Sequence, residues 1–270
     1  MKTLLSIFVS IILLFVLILY ISQNHKSKKM IEDTPLENPT AINNKTSSYK
    51  IKAKTLLSSR HKKVDLVRVN FYTRLAMLNA KVGDPIFIRI FKKEAILEVW
   101  IKPREEYLLF KQYPICAFSG GLGPKLREGD GQAPEGFYTV KKSQLNPRSK
   151  YHLSFNLGYP NRYDRLHHRT GSYLMVHGKC ASSGCYAMTD RKIEEIYTLV
   201  AHALKHGQKY VQVHAFPFYM TDKNMMKYEN SRWYEFWLEL KRGYDYFEAE
   251  KLPPKIKVEN GHYTIYEANQ

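Results

Sequence analysis

The chain has 270 residues and carries 42 Lys and Arg against 25 Asp and Glu, which gives a formal net charge of +17. Hydrophobic residues make up 44% of the chain and aromatic residues 13%, a composition that excludes a wholly disordered or low-complexity protein. Three cysteines are too few for a small disulfide-stapled scaffold.

The first predicted element is an uncharged apolar segment at residues 3–22, which reads TLLSIFVSIILLFVLILYIS. About 20 apolar residues suffice for a helix to span a bilayer. The stretch Tyr20–Gln23 lacks the small-residue pattern of a signal-peptidase site, so an uncleaved signal anchor is favoured over a cleaved signal peptide. Either assignment for residues 1–24 predicts that the remaining chain leaves the cytoplasm.

Residues 25–55 are polar and basic, with few apolar positions, and are predicted to form a tether. A chain this basic suits nucleic acid in principle, but its charge is spread along the sequence and no nucleic-acid motif accompanies it. We therefore expect no nucleic-acid partner. An anionic envelope polymer or a membrane surface accounts for the charge equally well.

The middle of the chain is predicted to be mainly β with long loops, after a helical lead-in at residues 56–84. Apolar residues recur at helical spacing between Leu57 and Leu78. Alternating or continuous apolar runs then predict strands at Ile86–Phe91, Ala95–Ile101, Tyr107–Phe118, Phe137–Lys141, Tyr151–Leu157, Tyr173–Val176 and Tyr210–Phe216.

Two helices and a hairpin are predicted in the last third of the chain. The first helix runs from Asp190, which can cap it, to His206, and Gly207 ends it. The second helix covers Ser231–Phe247 and is rich in aromatic residues that we expect to pack on the core. The dipeptide Asn260-Gly261 predicts a tight turn that joins strands Lys255–Val258 and His262–Tyr266.

The residues best suited to catalysis lie together at 175–190. A strand delivers His177, and a short Ser/Gly loop presents Cys185 just before a helix, an order that suits a Cys–His nucleophile. A free thiol has a pKa of about 8.5, which an imidazolium neighbour can lower to roughly 3.5–7.5. Gly184 lets amides near Cys185 turn toward an oxyanion, and Gly178 lets a backbone carbonyl orient the His177 ring.

Zinc and a disulfide are two other interpretations of the same cysteines. His177, Cys180 and Cys185 offer three zinc ligands, with His167 or His168 as the fourth, but the spacing H-x2-C-x4-C is not a common structural zinc pattern.

Cys180 and Cys185 are also close enough in sequence to pair, and because three cysteines cannot all pair within one chain, at least one stays free. Cys180 is thus either a redox partner of Cys185 or a packed thiol. Cys116 is expected to be inert core, and His214, within a strand, to be packed.

Several separated motifs resemble those of the L,D-transpeptidase catalytic-domain family. The run His177-Gly178 followed by Ser182–Cys185 is similar to the family signature, in which His-Gly precedes Ser-His-Gly-Cys. Further matching motifs follow the family's order, at Phe118–Lys125, Glu128–Asp130, Pro134–Tyr138, Gly158–Asn161, Asp164 and Arg169–Ser172. The resemblance covers residues 85–219 and is closest to the murein transpeptidase-like and peptidoglycan–lipoprotein amidase branch of Gram-negative envelopes.

This chain departs from the family pattern at two points. The gap between the first His and the Cys is shorter than usual, and Ser183 stands where the second His of the signature would be. Tyr186-Ala187 follows the Cys, so an Arg that would help to position a substrate carboxylate is missing there. Arg162, Arg165 or Arg169 is expected to replace it. The choice between an amine and a water acceptor is therefore left open.

The resemblance implies a mainly β fold with flanking helices, an L,D-transpeptidase-like β-sandwich with an active-site cleft at residues 85–219. A helix and a β-hairpin would form a C-terminal extension at 220–270. The Cys185 thiolate would attack the carbonyl at the L-centre of diaminopimelate in a peptidoglycan stem peptide, and His177 would accept and return the proton. Oxyanion and orienting groups would be Gly184, Gly178 and Ser183, and substrate-positioning residues Tyr138, Tyr159, Asp164 and Arg169.

The predicted function is that of a periplasmic L,D-transpeptidase that forms a thioester and needs neither cofactor nor metal. One alternative is an L,D-amidase or endopeptidase that hydrolyses diaminopimelate links, including those to a bound lipoprotein. Another is a non-catalytic wall-binding module. Predicted partners are peptidoglycan stem peptides, a peptidoglycan-linked lipoprotein and, through the N-terminal segment, the inner membrane.

Overall fold

A computed structural model describes residues 62–267, with side chains from residue 70 onward. The predicted signal segment at 1–24, the tether at 25–55 and the start of the helical lead-in lie outside the described residues. No helix within residues 62–267 is both long and apolar enough to cross a membrane.

Five α-helices and eleven strands follow one another in the described part of the chain. In chain order they are α1 Lys62–Met77, β1 Ile86–Phe91, β2 Ile96–Ile101, β3 Leu108–Pro114, β4 Gly136–Val140, β5 Leu145–Ser149, β6 His152–Asn156, α2 Arg162–Leu166, β7 Met175–His177, β8 Tyr186–Ala187, α3 Asp190–Lys205, β9 Val211–Phe216, α4 Asp222–Met226, α5 Tyr234–Glu250, β10 Lys255–Glu259 and β11 His262–Tyr266.

A five-stranded mixed sheet forms the centre of the fold, with strand order β3-β2-β1-β9-β4. β1 pairs antiparallel with β2 and parallel with β9, and every one of its six residues is buried. A strand covered on both faces requires a continuous apolar run, which explains why IFIRIF shows no alternation. Its one charged residue, Arg89, forms ion pairs with Glu98 and Glu248.

A smaller four-stranded sheet, of order β5-β6-β7-β8, carries the chemically reactive run. β6 and β7 are antiparallel, whereas β7 and β8 are parallel. An isolated bridge between Ala117 and Ala187 joins the end of the segment after β3 to β8. The architecture is therefore two mixed sheets and a two-stranded antiparallel hairpin with flanking helices, consistent with an L,D-transpeptidase fold.

The long helix α3 covers the span predicted for it, but its N-cap differs from the prediction. Thr189 is the N-cap residue, and Asp190 is the first helical residue. The Asp190 carboxylate instead accepts a hydrogen bond from the Lys179 N–H at 2.7 Å, which ties the loop before β8 to the helix. Gly207 follows the helix with a φ of +108°, a conformation that favours glycine, so the predicted end is confirmed.

The C-terminal extension packs into the same core as the sheets. α5 begins three residues later than predicted and continues to Glu250, and the β10–β11 hairpin turns at Asn260-Gly261 as predicted. Both turn residues have positive φ, 51° and 81°, as a two-residue hairpin turn requires. Tyr263 of β11 stacks on Tyr163 of α2, with the rings 4.1 Å apart and nearly parallel.

A buried ion pair links the end of β1 to the long loop between β3 and β4, and a hydrogen bond extends it to α5. The Lys92 ammonium lies 3.1 Å from Glu135, and both side chains are fully buried. Lys92 also donates to the carbonyls of Gly123 and Ala133, while Glu135 accepts from the Gly123 N–H and from the Trp237 indole. The charges are stable there because each polar atom has several partners.

We predict that Lys92→Met destabilises the protein by about 3–5 kcal/mol, because it leaves the Glu135 carboxylate buried without its counter-ion. Chemical denaturation of the purified protein measures the change. The double variant Lys92→Met/Glu135→Gln should recover part of the loss, since it buries no charge and the amide oxygen still accepts one of the two hydrogen bonds, from the Gly123 N–H or the Trp237 indole. A double variant as unstable as the single one would contradict this account.

Candidate active site

The parallel pair β7–β8 places His177 and Cys185 on neighbouring strands of the smaller sheet. Val176 pairs with Tyr186 and His177 with Ala187, and Cys185 directly precedes β8. The Cys185 sulfur accepts a hydrogen bond from the Met175 N–H at 3.4 Å. Met175 and His177 are two residues apart on β7 and therefore share one face of the strand.

Both reactive side chains have backbone partners. Sγ of Cys185 donates to the Tyr173 carbonyl at 3.6 Å, and Nδ1 of His177 lies 2.6 Å from the Gly178 carbonyl. The second contact fixes the ring and leaves Nε2 for the thiol. Among the described contacts Sγ has no hydrogen bond to the imidazole. Such bonds often tighten only when substrate binds.

Burial sets the resting protonation of the pair. It raises the pKa of the Cys185 thiol, an effect that the Met175 N–H and the Lys125 charge partly offset. It also lowers the pKa of His177, and the Gly178 carbonyl offsets this in part. Both shifts favour neutral thiol and neutral imidazole. The expectation of a thiol pKa lowered by an imidazolium is therefore not met, because burial outweighs the favourable contacts.

Glycine is required at positions 184 and 178 of the motif for different steric reasons. Gly184 has a φ of +103°, and its N–H donates to Ser119 Oγ at 2.6 Å, so this amide is occupied. At Gly178, a Cβ atom would lie 2.6 Å from the Tyr151 carbonyl and 2.8 Å from the Asp190 carboxylate. Only glycine fits at position 178. Ser183, the third member of the predicted orienting group, is exposed.

The disulfide joins Cys116 to Cys180, with Cα atoms 5.4 Å apart, and Cys185 is the free cysteine. The expectation that Cys116 is inert core is therefore wrong, as are a packed thiol at Cys180 and its pairing with Cys185. The pairing anchors the loop between β7 and β8 to the segment after β3. It leaves free the one thiol that a nucleophilic role requires.

The zinc interpretation is not supported by the arrangement of the side chains. Cys180 is oxidised in the disulfide and cannot serve as a thiolate ligand. Within residues 62–267, no three or more His, Cys, Asp or Glu side chains cluster so as to hold a metal ion. His214 is packed, as expected, with its ring 4.6 Å from those of Phe87 and Phe137.

The four predicted substrate-positioning residues lie close together, but they form a buried structural network. Tyr138 donates to Asp164 at 3.2 Å, and Asp164 forms an ion pair with Arg169 at 3.0 Å. Tyr159 donates to the carbonyls of Lys125 and Thr170. All four side chains are at most 7% exposed. Direct contact with substrate was predicted for them, but in the structure they instead support α2 and the neighbouring loop.

Two of the three arginines expected to replace the missing family Arg are engaged elsewhere, and the third lies beside the β10–β11 hairpin. Arg169 is held by Asp164, and Arg165 donates to the Pro160 carbonyl. Arg162 lines a cavity of about 190 Å³ beside the hairpin residue Ile256. None of these contacts involves the β7–β8 edge.

Lys125 is a candidate that the motif spacing does not single out. Its side chain is 4% exposed, and its ammonium contacts the Asp130 carboxylate at 2.5 Å and the Arg127 carbonyl at 2.9 Å. Burial raises the pKa of Asp130, but the hydrogen bonds from Lys125 and three backbone N–H groups dominate and lower it to about 2. The one available signal is an Asp five residues after a Lys in a Gly-rich loop.

Comparison with known proteins identifies the family to which the chain belongs. The model of the YkuD L,D-transpeptidase catalytic domain matches residues 86–217. Over 184 residues the chain is 50% identical to the Escherichia coli K12 protein named "Putative L,D-transpeptidase YafK". The matched region covers 68% of this chain and 75% of that protein. The O157:H7 counterpart gives the same values. The chain belongs to the L,D-transpeptidase family.

Two solved structures show a weaker likeness. The helical cell shape determining protein Pgp2 from Campylobacter jejuni is 18% identical, covers 70% of this chain and 80% of its own, and has a TM-score of 0.39. Bd1075 from Bdellovibrio bacteriovorus is 19% identical, covers 63% and 61%, and has a TM-score of 0.35. Likeness at this level carries no argument about activity.

We predict that the rate of Cys185 alkylation by iodoacetamide rises with pH along a curve whose midpoint lies above that of a free cysteine measured alongside. Burial raises the thiol pKa, so the reactive thiolate accumulates only as pH rises through that value. Because Cys185 is the free cysteine, mass spectrometry of the unreduced protein follows it alone. A midpoint between about 3.5 and 7.5 would instead indicate a preformed thiolate–imidazolium pair.

We predict that peptide mapping without reductant recovers a Cys116–Cys180 cross-linked peptide and an alkylated Cys185 peptide. Replacing both bonded cysteines by serine should cost about 2–4 kcal/mol, because the bond closes a long loop of the unfolded chain. Thermal unfolding of wild type and variant measures the loss. A Cys180–Cys185 cross-link would contradict the assignment.

Proposed function

We propose that the protein is a peptidoglycan-modifying cysteine enzyme that transfers the acyl group of a diaminopimelate-containing stem peptide through a thioester. The observation that carries the proposal is the placement of the one free thiol, Cys185, directly before β8, the strand that pairs in parallel with β7, which bears His177. Family membership supplies the substrate class. The remaining argument concerns what these residues do to such a substrate.

Acylation begins with a proton transfer because the resting pair is neutral. Nε2 of His177 takes the thiol proton as Sγ of Cys185 attacks the carbonyl at the L-centre of diaminopimelate. A tetrahedral oxyanion forms. The imidazolium then gives its proton to the departing amine, and the C–N bond breaks to leave a thioester and a neutral imidazole.

The oxyanion needs a hydrogen-bond donor close to Sγ. The Gly184 N–H is held by Ser119, so we assign this role to the N–H of Cys185 itself. The positive φ of Gly184 turns the chain just before that amide, and the hydrogen bond to Ser119 keeps the turn in place. Ser119 and Gly184 are thus positioning residues.

The acceptor completes the reaction in one of two ways. Attack on the thioester by the amine of a second stem gives a cross-link, and attack by water gives a free carboxylate. Cys185 is only half-buried, and its neighbours Tyr173 and Ser183 are exposed, so both acceptors have access. This openness favours hydrolysis of diaminopimelate links, including those to a lipoprotein, as the second candidate function.

The site of action that we propose is the periplasm. The apolar segment at residues 3–22 would export the chain and hold it at the inner membrane, and the +17 charge suits an anionic envelope. A non-catalytic wall-binding role uses the same charge but needs no thiol. Binding of that kind would weaken steeply with salt and survive removal of Cys185.

We predict that Cys185→Ala abolishes thioester formation and that His177→Ala slows it by about 10²–10⁴-fold, since general-base catalysis contributes roughly that factor. Mass spectrometry of the full-length protein incubated with a tetrapeptide-bearing muropeptide detects the adduct. His206→Ala, an exposed histidine after α3, serves as the control and should react like wild type. Full turnover by Cys185→Ala would rule the mechanism out.

The released muropeptides from the same incubation identify the acceptor. New diaminopimelate–diaminopimelate links indicate transfer, whereas loss of links or of attached lipoprotein indicates hydrolysis. Salt-sensitive sacculus binding without either product, unchanged in Cys185→Ala, would instead favour the wall-binding module.

A further inference from the structure

Lys125 is a nearly buried cation with spare hydrogen-bonding capacity. Two partners, Asp130 and the Arg127 carbonyl, occupy two of the three N–H donors of its ammonium among the described contacts. Its side chain is held tightly: a Cβ atom at Gly171 would lie 2.7 Å from Lys125 Cε. A lysine confined in this way keeps its charge at a fixed place.

Two chains of contacts connect this lysine to the nucleophile. On one side, Asp130 Oδ1 accepts a hydrogen bond from the Gln132 N–H at 3.0 Å. The Gln132 carbonyl would lie 3.4 Å from a Cβ atom built on Gly184, the residue directly before Cys185. On the other side, Lys125 contacts Gly171, two residues before Tyr173, whose carbonyl accepts from the Cys185 thiol.

The electrostatic relation agrees with these contacts. The Lys125 charge lowers the pKa of the Cys185 thiol against the larger effect of burial. The Asp130 carboxylate accepts hydrogen bonds from N–H groups of its own turn, from Leu126, Arg127 and Gln132, as well as from Lys125. These N–H dipoles offset part of the carboxylate charge, so it cancels less of the Lys125 charge.

We propose that Lys125, held by Asp130, is a positioning residue that supplies the fixed positive charge of the active site and selects anionic acyl donors. The position after the nucleophile holds Tyr186-Ala187 rather than a cation, and Arg165 and Arg169 of the α2 region are engaged elsewhere. Lys125 thus takes over the attraction of a carboxylate next to the scissile bond. This donor preference rests on the proposed function, whereas the local charge does not.

The charge is measured by comparing two alkylating agents of similar shape. The Cys185 thiolate displaces iodide from iodoacetate or iodoacetamide, forming a C–S bond as the C–I bond breaks. Iodoacetate is an anion and iodoacetamide is neutral. Their rate ratio therefore reports the electrostatic potential at the sulfur, and a general loosening of the loop changes both rates alike.

We expect Lys125→Met to lower the iodoacetate-to-iodoacetamide ratio by roughly three- to tenfold in the full-length protein, in uncharged detergent and low salt. Lys125→Arg should restore it to within about twofold, since the charge is kept. The double variant Lys125→Met/Asp130→Asn leaves no unpaired carboxylate and should show the same loss of the ratio. It replaces the single variant in the test if the single variant folds poorly.

Lys179→Met is the matched control, because it removes an exposed lysine from the loop that precedes Cys185. Its charge is screened by water, so its ratio should stay near that of wild type. A wild-type ratio in both Lys125→Met and the double variant would overturn the proposal. A loss as large in Lys179→Met would overturn it too.

The donor preference has a separate readout. With stem peptides that carry a carboxylate or a carboxamide next to the scissile bond, Lys125→Met should raise KM for the carboxylate alone and lower kcat by a similar factor for both donors, because the lost charge also favours the thiolate. Equal KM changes for both donors would overturn selection by Lys125. Absence of any thioester in wild type would sink the proposed function, while the alkylation ratio would still decide the local charge.

Discussion

The active site depends on a parallel strand pair that is closed by an unusually short connection. β7 and β8 run parallel, yet only residues 178–185 separate them. Parallel strands normally need a crossover of a dozen or more residues. A loop this short must be held at several points, and those points are the contacts that arrange the nucleophile.

Each restraint of this loop acts at a different position. The Lys179 N–H donates to the Asp190 carboxylate, and the Gly184 N–H donates to Ser119 Oγ. Between them, Cys180 is bonded to Cys116. The bonds reach α3, the segment after β3 and the long loop before β4. Those three elements thus hold Cys185 beside β7, and the buried pair of Lys92 and Glu135 holds the long loop in turn.

Local sequence signals predicted the parts of the fold that are governed locally. The Asn260-Gly261 turn, the end of α3 at Gly207 and the buried strand β1 follow from backbone preference and apolar runs. The two-residue strand β8 is too short to leave a pattern, and long-range contacts such as the bridge between Ala117 and Ala187 define it. The chain contains the motif of the site, but tertiary contacts set its geometry.

Pairing and burial are the two properties of the site that spacing does not reveal. Sequence proximity suggested Cys180 and Cys185 as partners, whereas the actual partner, Cys116, lies 64 residues from Cys180. Tyr138 and Asp164 carry the residue types of a substrate site, yet they are buried against each other. Which polar residues face solvent depends on the packing of α2 and the hairpin, which residue type alone does not encode.

Burial also decides how the nucleophile is activated. A thiol and an imidazole removed from water both prefer their neutral forms, so the reactive thiolate exists mainly while substrate is attacked. A fixed cation such as Lys125 then matters more than in an open site, because its charge is poorly screened and acts as negative charge develops on sulfur and on the oxyanion. The enclosure that raises the cost of the thiolate thus strengthens the one charge that favours it.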